Sequence, residues 1–124
     1  MQKIIIKQSN KIKGRGVFAE QAIKKGELIE ITPLLLMPMA EFEYIKKTRL
    51  YYYFFEYSNS HFAIALGYGS LYNHSYNPNA RYYYNYSKEL EIYAIKDIQK
   101  GEEILFNYNW DPNDKTPLGD WFKE

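Results

Sequence analysis

Asn73-His74-Ser75-Tyr76-Asn77-Pro78-Asn79 and, further along, Gly101-Glu102-Glu103-Ile104-Leu105-Phe106-Asn107-Tyr108 are the stretches whose reading decides the fold. In the first, Pro78 fixes φ and Asn79 can bond nearby backbone, so together they stiffen a turn into the aromatic run that follows at residues 80–84. In the second, a glycine turn opens onto the apolar run 104–106 and ends on Tyr108. Taken singly, each is turn chemistry. Tyr108 alone reads as an ordinary strand-end tyrosine, and His74 alone as a hydrogen-bonded packing residue.

The second stretch has a twin. Phe18-Ala19, three residues, then Ile23-Lys24-Lys25-Gly26-Glu27-Leu28-Ile29 matches Tyr93-Ala94, three residues, then Ile98-Gln99-Lys100-Gly101-Glu102-Glu103-Ile104, at a constant offset of 75 residues. Two similar hairpins are implied, each with glycine supplying a positive φ and with lysine and glutamate keeping the turn solvated. Because Glu27 sits in the N-terminal copy, far in sequence from the two stretches above, its twin Glu102 reads as turn architecture rather than as a catalytic acid. The same offset sets Pro33 against Tyr108, so the tyrosine is what the second copy has and the first lacks.

Outward from these stretches the pattern is mostly short strands. Residues 4–7, 17–19, 28–31, 34–37, 62–66, 80–84, 90–94 and 104–106 are β-branched, aliphatic or aromatic runs bounded by Gly, Pro, Asn or Lys-rich turns. Only residues 40–50 read as helical, with Phe42, Ile45 and Leu50 on one face and Pro38 shortly before. The fold class is mainly β.

Composition bounds the function. A chain of 124 residues is about one domain and can bury its own core. A net charge of +1 without a basic run argues against direct nucleic-acid binding and for a protein partner. With no cysteine and two histidines, neither a disulfide framework nor a metal site is expected. The N-terminus has three consecutive apolar residues before a polar stretch, so it reads as neither signal peptide nor membrane span. A soluble intracellular protein is expected, cytoplasmic, or nuclear in a host if viral or a secreted bacterial effector. Lysine outnumbers arginine thirteen to three, a bias of genomes poor in G and C that also inflates tyrosine. The runs Tyr51-Tyr52-Tyr53 and Tyr82-Tyr83-Tyr84 therefore read as strand-filling aromatics ahead of a nucleic-acid stacking surface.

Together with Gly14-Arg15-Gly16-Val17-Phe18-Ala19, the two stretches, in this order, resemble the signature of SET-domain protein-lysine methyltransferases, in particular the small stand-alone viral and bacterial members. The resemblance covers about residues 3–108. It implies a β-clip-like SET fold of several small sheets with one short helix and a C-terminal pseudoknot, and S-adenosylmethionine as cofactor. The substrate would be the ε-amine of a lysine in a protein, possibly a histone tail.

The resemblance also implies roles residue by residue. Gly14, Arg15 and Gly16 would lie against the methionine end of the cofactor, Asn73 would grip its amine, and His74 would hold the loop. Tyr108 is the implied catalytic residue, beside the reacting groups. A free lysine amine has a pKa of about 10.4, so burial in an aromatic channel must remove its proton before it can attack. Phe106 matches a position that sets how many methyl groups fit, and phenylalanine there implies di- or trimethylation. Tyr52 or Tyr53 is the implied partner of Phe106 in the substrate channel. The family often carries arginine where this chain has Ser70.

Residues 1–108 thus form the expected SET domain, and residues 109–124 a tail closing the site. In that tail Trp110 would stack on adenine, while Trp121-Phe122 would close the channel, dock the tail or cover a homodimer patch. Two alternatives stand beside the enzyme: a catalytically silent SET-like module binding protein tails or S-adenosylmethionine, and a small β-clip structural or carbohydrate-binding domain.

Overall fold

A computed structural model describes residues 3–9 and 14–119. The strands are β1 (Ile4–Gln8), β2 (Arg15–Ala19), β3 (Leu28–Pro38), β4 (Phe54–Glu56), β5 (His61–Ala65), β6 (Asn73–His74), β7 (Ala80–Tyr84), β8 (Glu89–Ala94) and β9 (Glu103–Phe106). They form a four-stranded sheet ordered β1-β2-β9-β6 and a five-stranded sheet ordered β4-β5-β3-β8-β7. The mainly β expectation holds. Among the described residues no helix is long and apolar enough to cross a membrane.

Two expected strands, 28–31 and 34–37, are one. β3 runs through Pro33, pairing with β8 from Leu28 to Pro33 and with β5 from Leu34 to Pro38. The residue without an N–H falls at the handover between ladders, where a proline is tolerated.

The expected helix over 40–50 is broken. It is a 3-10 turn (Met39–Glu41), a four-residue helix α1 (Phe42–Ile45) and a second 3-10 turn (Arg49–Tyr52). Thr48 ends α1: it is extended, its hydroxyl donates to Ile45 O, and it accepts from Leu50 N at the start of the next turn. The presumed apolar face splits accordingly. Ile45 is buried but Leu50 is 43% exposed, and Phe42 packs edge-on against Phe54 and Phe62 at 5.0 and 5.1 Å.

The repeat does not make hairpins. Each copy pairs with the other: β2 of the first lies against β9 of the second (Phe18 opposite Glu103), and β8 of the second against β3 of the first (Tyr93 opposite Leu28). The turns are bonded reciprocally. Gly26 N donates to Ala94 O and Gly101 N to Ala19 O, both at 2.8 Å, while Ile23 and Ile98 exchange backbone bonds at 2.8 and 2.7 Å. Both glycines hold positive φ, +89° and +92°, and each following glutamate accepts a backbone bond inside its own turn, Glu27 from Lys24 N and Glu102 from Gln99 N. An approximate two-fold thus relates the copies, and Ile23 and Ile98, each 1% exposed, pack at its centre with Val17, Leu90, Ile92 and Ile104. The apolar positions face inward because each strand must bury one face against its twin.

Candidate active site

The site is built where residues 73–79 wrap the last strand. β6 runs parallel to β9, Asn73 opposite Leu105 and His74 opposite Phe106, and Ser75 N donates to Phe106 O at 3.1 Å. Asn79 then imitates a strand with its side chain: Oδ1 accepts from Leu105 N at 2.8 Å and Nδ2 donates to Glu103 O at 2.9 Å. A two-residue strand has no pattern of its own, which is why β6 is absent from the sequence reading. The C-terminal segment is thereby held by the loop before it, as a pseudoknot requires.

His74 sets the next residue along. Its Nδ1 accepts from Tyr108 N at 3.0 Å, which places the ring proton on Nε2, and its ring meets Tyr76 edge-on at 4.4 Å. Burial lowers its pKa to about 4, so the imidazole is neutral at physiological pH.

Beside it a carboxylate organises Asn73. Glu103, 8% exposed, accepts from Asn73 Nδ2 at 2.7 Å and from Ser9 Oγ at 2.7 Å. Asn73 Nδ2 also donates to Arg15 O at 2.9 Å, so both amide hydrogens are committed and Oδ1 is the remaining acceptor. Gly16 closes over this cluster. A Cβ there would stand 2.1 Å from Glu103 Oε2 and 2.9 Å from Asn73 Nδ2. Gly14, by contrast, has φ +105°, a left-handed conformation that suits glycine, with nothing among the described residues within 4 Å of where a Cβ would lie, and its O accepts from Ser9 N at 2.9 Å. Ser70, in place of the family's arginine, donates to Tyr53 O and accepts from Ala65 N, both at 3.0 Å.

Tyr108 joins this cluster to a cavity of about 370 Å³. Its hydroxyl donates to Tyr72 O at 2.5 Å, and its ring lies 5.2 Å from that of His74. Burial, reinforced by Tyr53 and the Glu103 charge, pushes its pKa well up, so it is a neutral phenol and not a base. The cavity is lined by six tyrosines, Tyr52, Tyr53, Tyr72, Tyr82, Tyr84 and Tyr108. Alternation along β7 sends Tyr82 and Tyr84 inward and Tyr83 out.

The expected residues divide between two walls. Gly16, Asn73 and Arg15 O meet on the Glu103 side, with Gly14 at the head of the same strand, whereas Tyr52, Tyr53, Tyr108 and Trp110 line the cavity. Phe106 lines neither. It is 1% exposed and lies beneath the cavity, stacked on Tyr72 at 5.1 Å and tilted against Tyr82 at 4.8 Å. Trp110 sits at φ +77° with the Arg81 guanidinium 4.6 Å from its ring, and Arg81 lies equally over Tyr83 at 4.7 Å. The tail after it is strapped down: Asn107 Nδ2 donates to Asp114 O, Asn109 Nδ2 to Thr116 O, and Tyr76 OH to Thr116 O, which brings Pro117 and Leu118 to the cavity. Trp121 and Phe122 lie outside the described residues. The sequence reading missed Glu103, Tyr82, Tyr84 and Arg81. Glu103 did carry a signal, because the repeat places it opposite a leucine, Leu28.

Comparison with known proteins meets this geometry. The SET-domain family pattern matches residues 14–109. A Schizosaccharomyces pombe histone-lysine N-methyltransferase, H3 lysine-37 specific, is 35% identical over 98 residues, 77% of this chain and 67% of its own length. A Candida albicans histone-lysine N-methyltransferase, H3 lysine-36 specific, is 34% identical over 81% of this chain, which spans only 13% of that protein. Among solved structures, a Plasmodium falciparum candidate histone methyltransferase superposes with a TM-score of 0.74 at 37% identity, covering 87% of this chain and 94% of the other.

Proposed function

The chain belongs to the SET-domain family, and from that premise we propose that it is a protein-lysine N-methyltransferase using S-adenosylmethionine. The observation that carries the reading is the position of Tyr108, a buried neutral phenol between a tyrosine-lined cavity and the Gly16–Asn73–Glu103 cluster.

The residues present fit the cofactor. The close approach that Gly16, without a side chain, allows beside Asn73, and the remaining acceptor, Asn73 Oδ1, suit the amino-acid end of the molecule, which carries an ammonium. Gly14, Arg15, Gly16, Asn73 and His74 would hold it, with Trp110 reaching over from the cavity side. When bound, it supplies the methyl group.

The other wall receives the lysine. Aromatic faces attract an arriving ammonium, and desolvation inside the cavity then favours its neutral form. No protein base is required, and none of the tyrosines serves as one. Tyr108 Oη, which donates its proton to the Tyr72 carbonyl 2.5 Å away, and that carbonyl are two oxygens that can accept from the N–H groups of the amine, leaving its lone pair to face the methyl. Trp110, Pro117, Leu118 and Gly119 of the tail line the cavity, which suits a segment that narrows access to it. Phe106 does not itself line the cavity but supports Tyr72 and Tyr82 from beneath, so it acts on the space left for the methylated amine through the placement of those two tyrosines. Di- or trimethyl-lysine is the expected product. Mass spectrometry of products from Phe106→Tyr should show a shift toward monomethyl-lysine, and monomethyl product alone from the unmodified enzyme would contradict the assignment.

The test of the activity is incubation with labelled S-adenosylmethionine and a panel of histones and cell extract, with Tyr108→Phe alongside. Transfer by the unmodified chain and its loss in the variant support the reading. Calorimetric binding of S-adenosylmethionine without any transfer would identify a silent module instead.

A further inference from the structure

We propose that Glu56 selects the substrate: its carboxylate, at the cavity lined by tyrosines, favours a target lysine that has a second cation, arginine or lysine, close to it in sequence. This deepens the methyltransferase reading and rests on it.

Among the described residues that line the cavity, Glu56 is the one of charged type. It ends β4, an edge strand of the five-stranded sheet, and Tyr84 OH donates to its backbone O at 2.6 Å, which pins this strand end against the cavity wall. The carboxylate lies near enough to the Tyr82 and Tyr84 phenols that its charge adds to burial in raising both pKa values. Yet it is exposed, and among the described residues no lysine or arginine forms an ion pair with it, Lys3–Glu27 being the pair observed.

An unpaired carboxylate at a binding cavity recognises positive charge, but the reacting lysine is the wrong partner. A carboxylate against that amine would stabilise its ammonium form and oppose the loss of proton that attack requires. The tyrosine faces already serve an arriving ammonium without regard to its neighbours. A carboxylate at the strand end, outside the buried centre, instead reads a flanking residue. Exposed ion pairs contribute up to about 1 kcal/mol, which corresponds to a preference of up to about fivefold.

The test is an oriented peptide library with one fixed central lysine and degenerate flanks, incubated with S-adenosylmethionine and read by sequencing the methylated fraction. With the unmodified chain, arginine and lysine should be enriched about three- to fivefold over glutamine in at least one flanking position. The enrichment should vanish in Glu56→Gln and turn toward aspartate and glutamate in Glu56→Lys. Each ratio is internal to one protein, so a change in overall activity does not mimic the result. Flat flanking preferences in the unmodified chain, or enrichment that persists in Glu56→Gln, would overturn the role of Glu56 while leaving the methyltransferase reading in place. Absence of any methylated peptide with the unmodified chain would instead overturn that reading, and this inference with it.

Discussion

The two copies of the repeat share a backbone and differ in what they carry. In each, an aromatic-alanine strand end, an isoleucine, a glycine at positive φ and a turn glutamate make the same bonds to the opposite copy. The positions that differ are the informative ones. Where the first copy has Leu28 and Pro33, the second has Glu103 and Tyr108, and these two form hydrogen bonds at the site. Scaffold lies in the symmetric part, while the residues proposed for the chemistry occupy positions where symmetry is broken.

The comparison breaks most sharply at Tyr108. Tyr108→Phe should lower kcat for methyl transfer about a hundredfold, as when one oriented hydrogen-bonding group is removed from an active site. Pro33→Ala at the twin position should leave kcat within about twofold, and equal losses at the two positions would show that the asymmetry is not catalytic.

Next comes Glu103→Leu, which restores the residue of the first copy. Asn73 Nδ2 loses a carboxylate partner in a buried setting, a cost of about 1–3 kcal/mol. Calorimetry should show S-adenosylmethionine affinity reduced about tenfold or more, because Asn73 Oδ1 is no longer oriented. Unchanged affinity would make Glu103 a packing residue only.

His74 provides a pH signature with no counterpart in the first copy. The unfolded chain takes up the imidazole proton near pH 6.5, whereas the folded one does so only near about 4. Unfolding therefore binds a proton in that window, and stability falls as pH drops from about 6.5 toward about 4, by on the order of 2 kcal/mol from this group. Urea titrations across that range should show a shallower fall in His74→Asn than in the unmodified chain.

The smallest effect tests the symmetry itself. Gly26→Ala and Gly101→Ala each force a side chain into positive φ with open space around it, so each should cost about 1–2 kcal/mol. Denaturation should return nearly equal values, and a large difference would show that the two turns are not mechanically equivalent.

Much of this was legible along the chain. The strands at 4–8, 80–84 and 89–94 follow from local apolar runs and turn residues, and the repeat announced the matching glycine turns. Other features were not. The repeat was read as two hairpins because sequence reports which segments are alike, not which of them pair. The helix over 40–50 has the spacing of an apolar face, but Thr48 had a competing backbone bond that propensity does not weigh. In the tyrosine runs, Tyr51 joined the Phe42–Phe54 cluster while Tyr52 and Tyr53 went to the cavity, a division made by neighbours distant in sequence.

The sequence by itself determined the family, the mainly β class and the identity of Gly16, Asn73 and Tyr108 as residues of interest, because motifs and turn chemistry are local. Only the tertiary structure decided that Glu103 orients Asn73, that Asn79 splices the last strand into its loop, and that Tyr108 stands between two walls. Those are contacts between segments some thirty residues apart, and the energy of a hydrogen bond depends on where burial brings its partners together, which no spacing along the chain records.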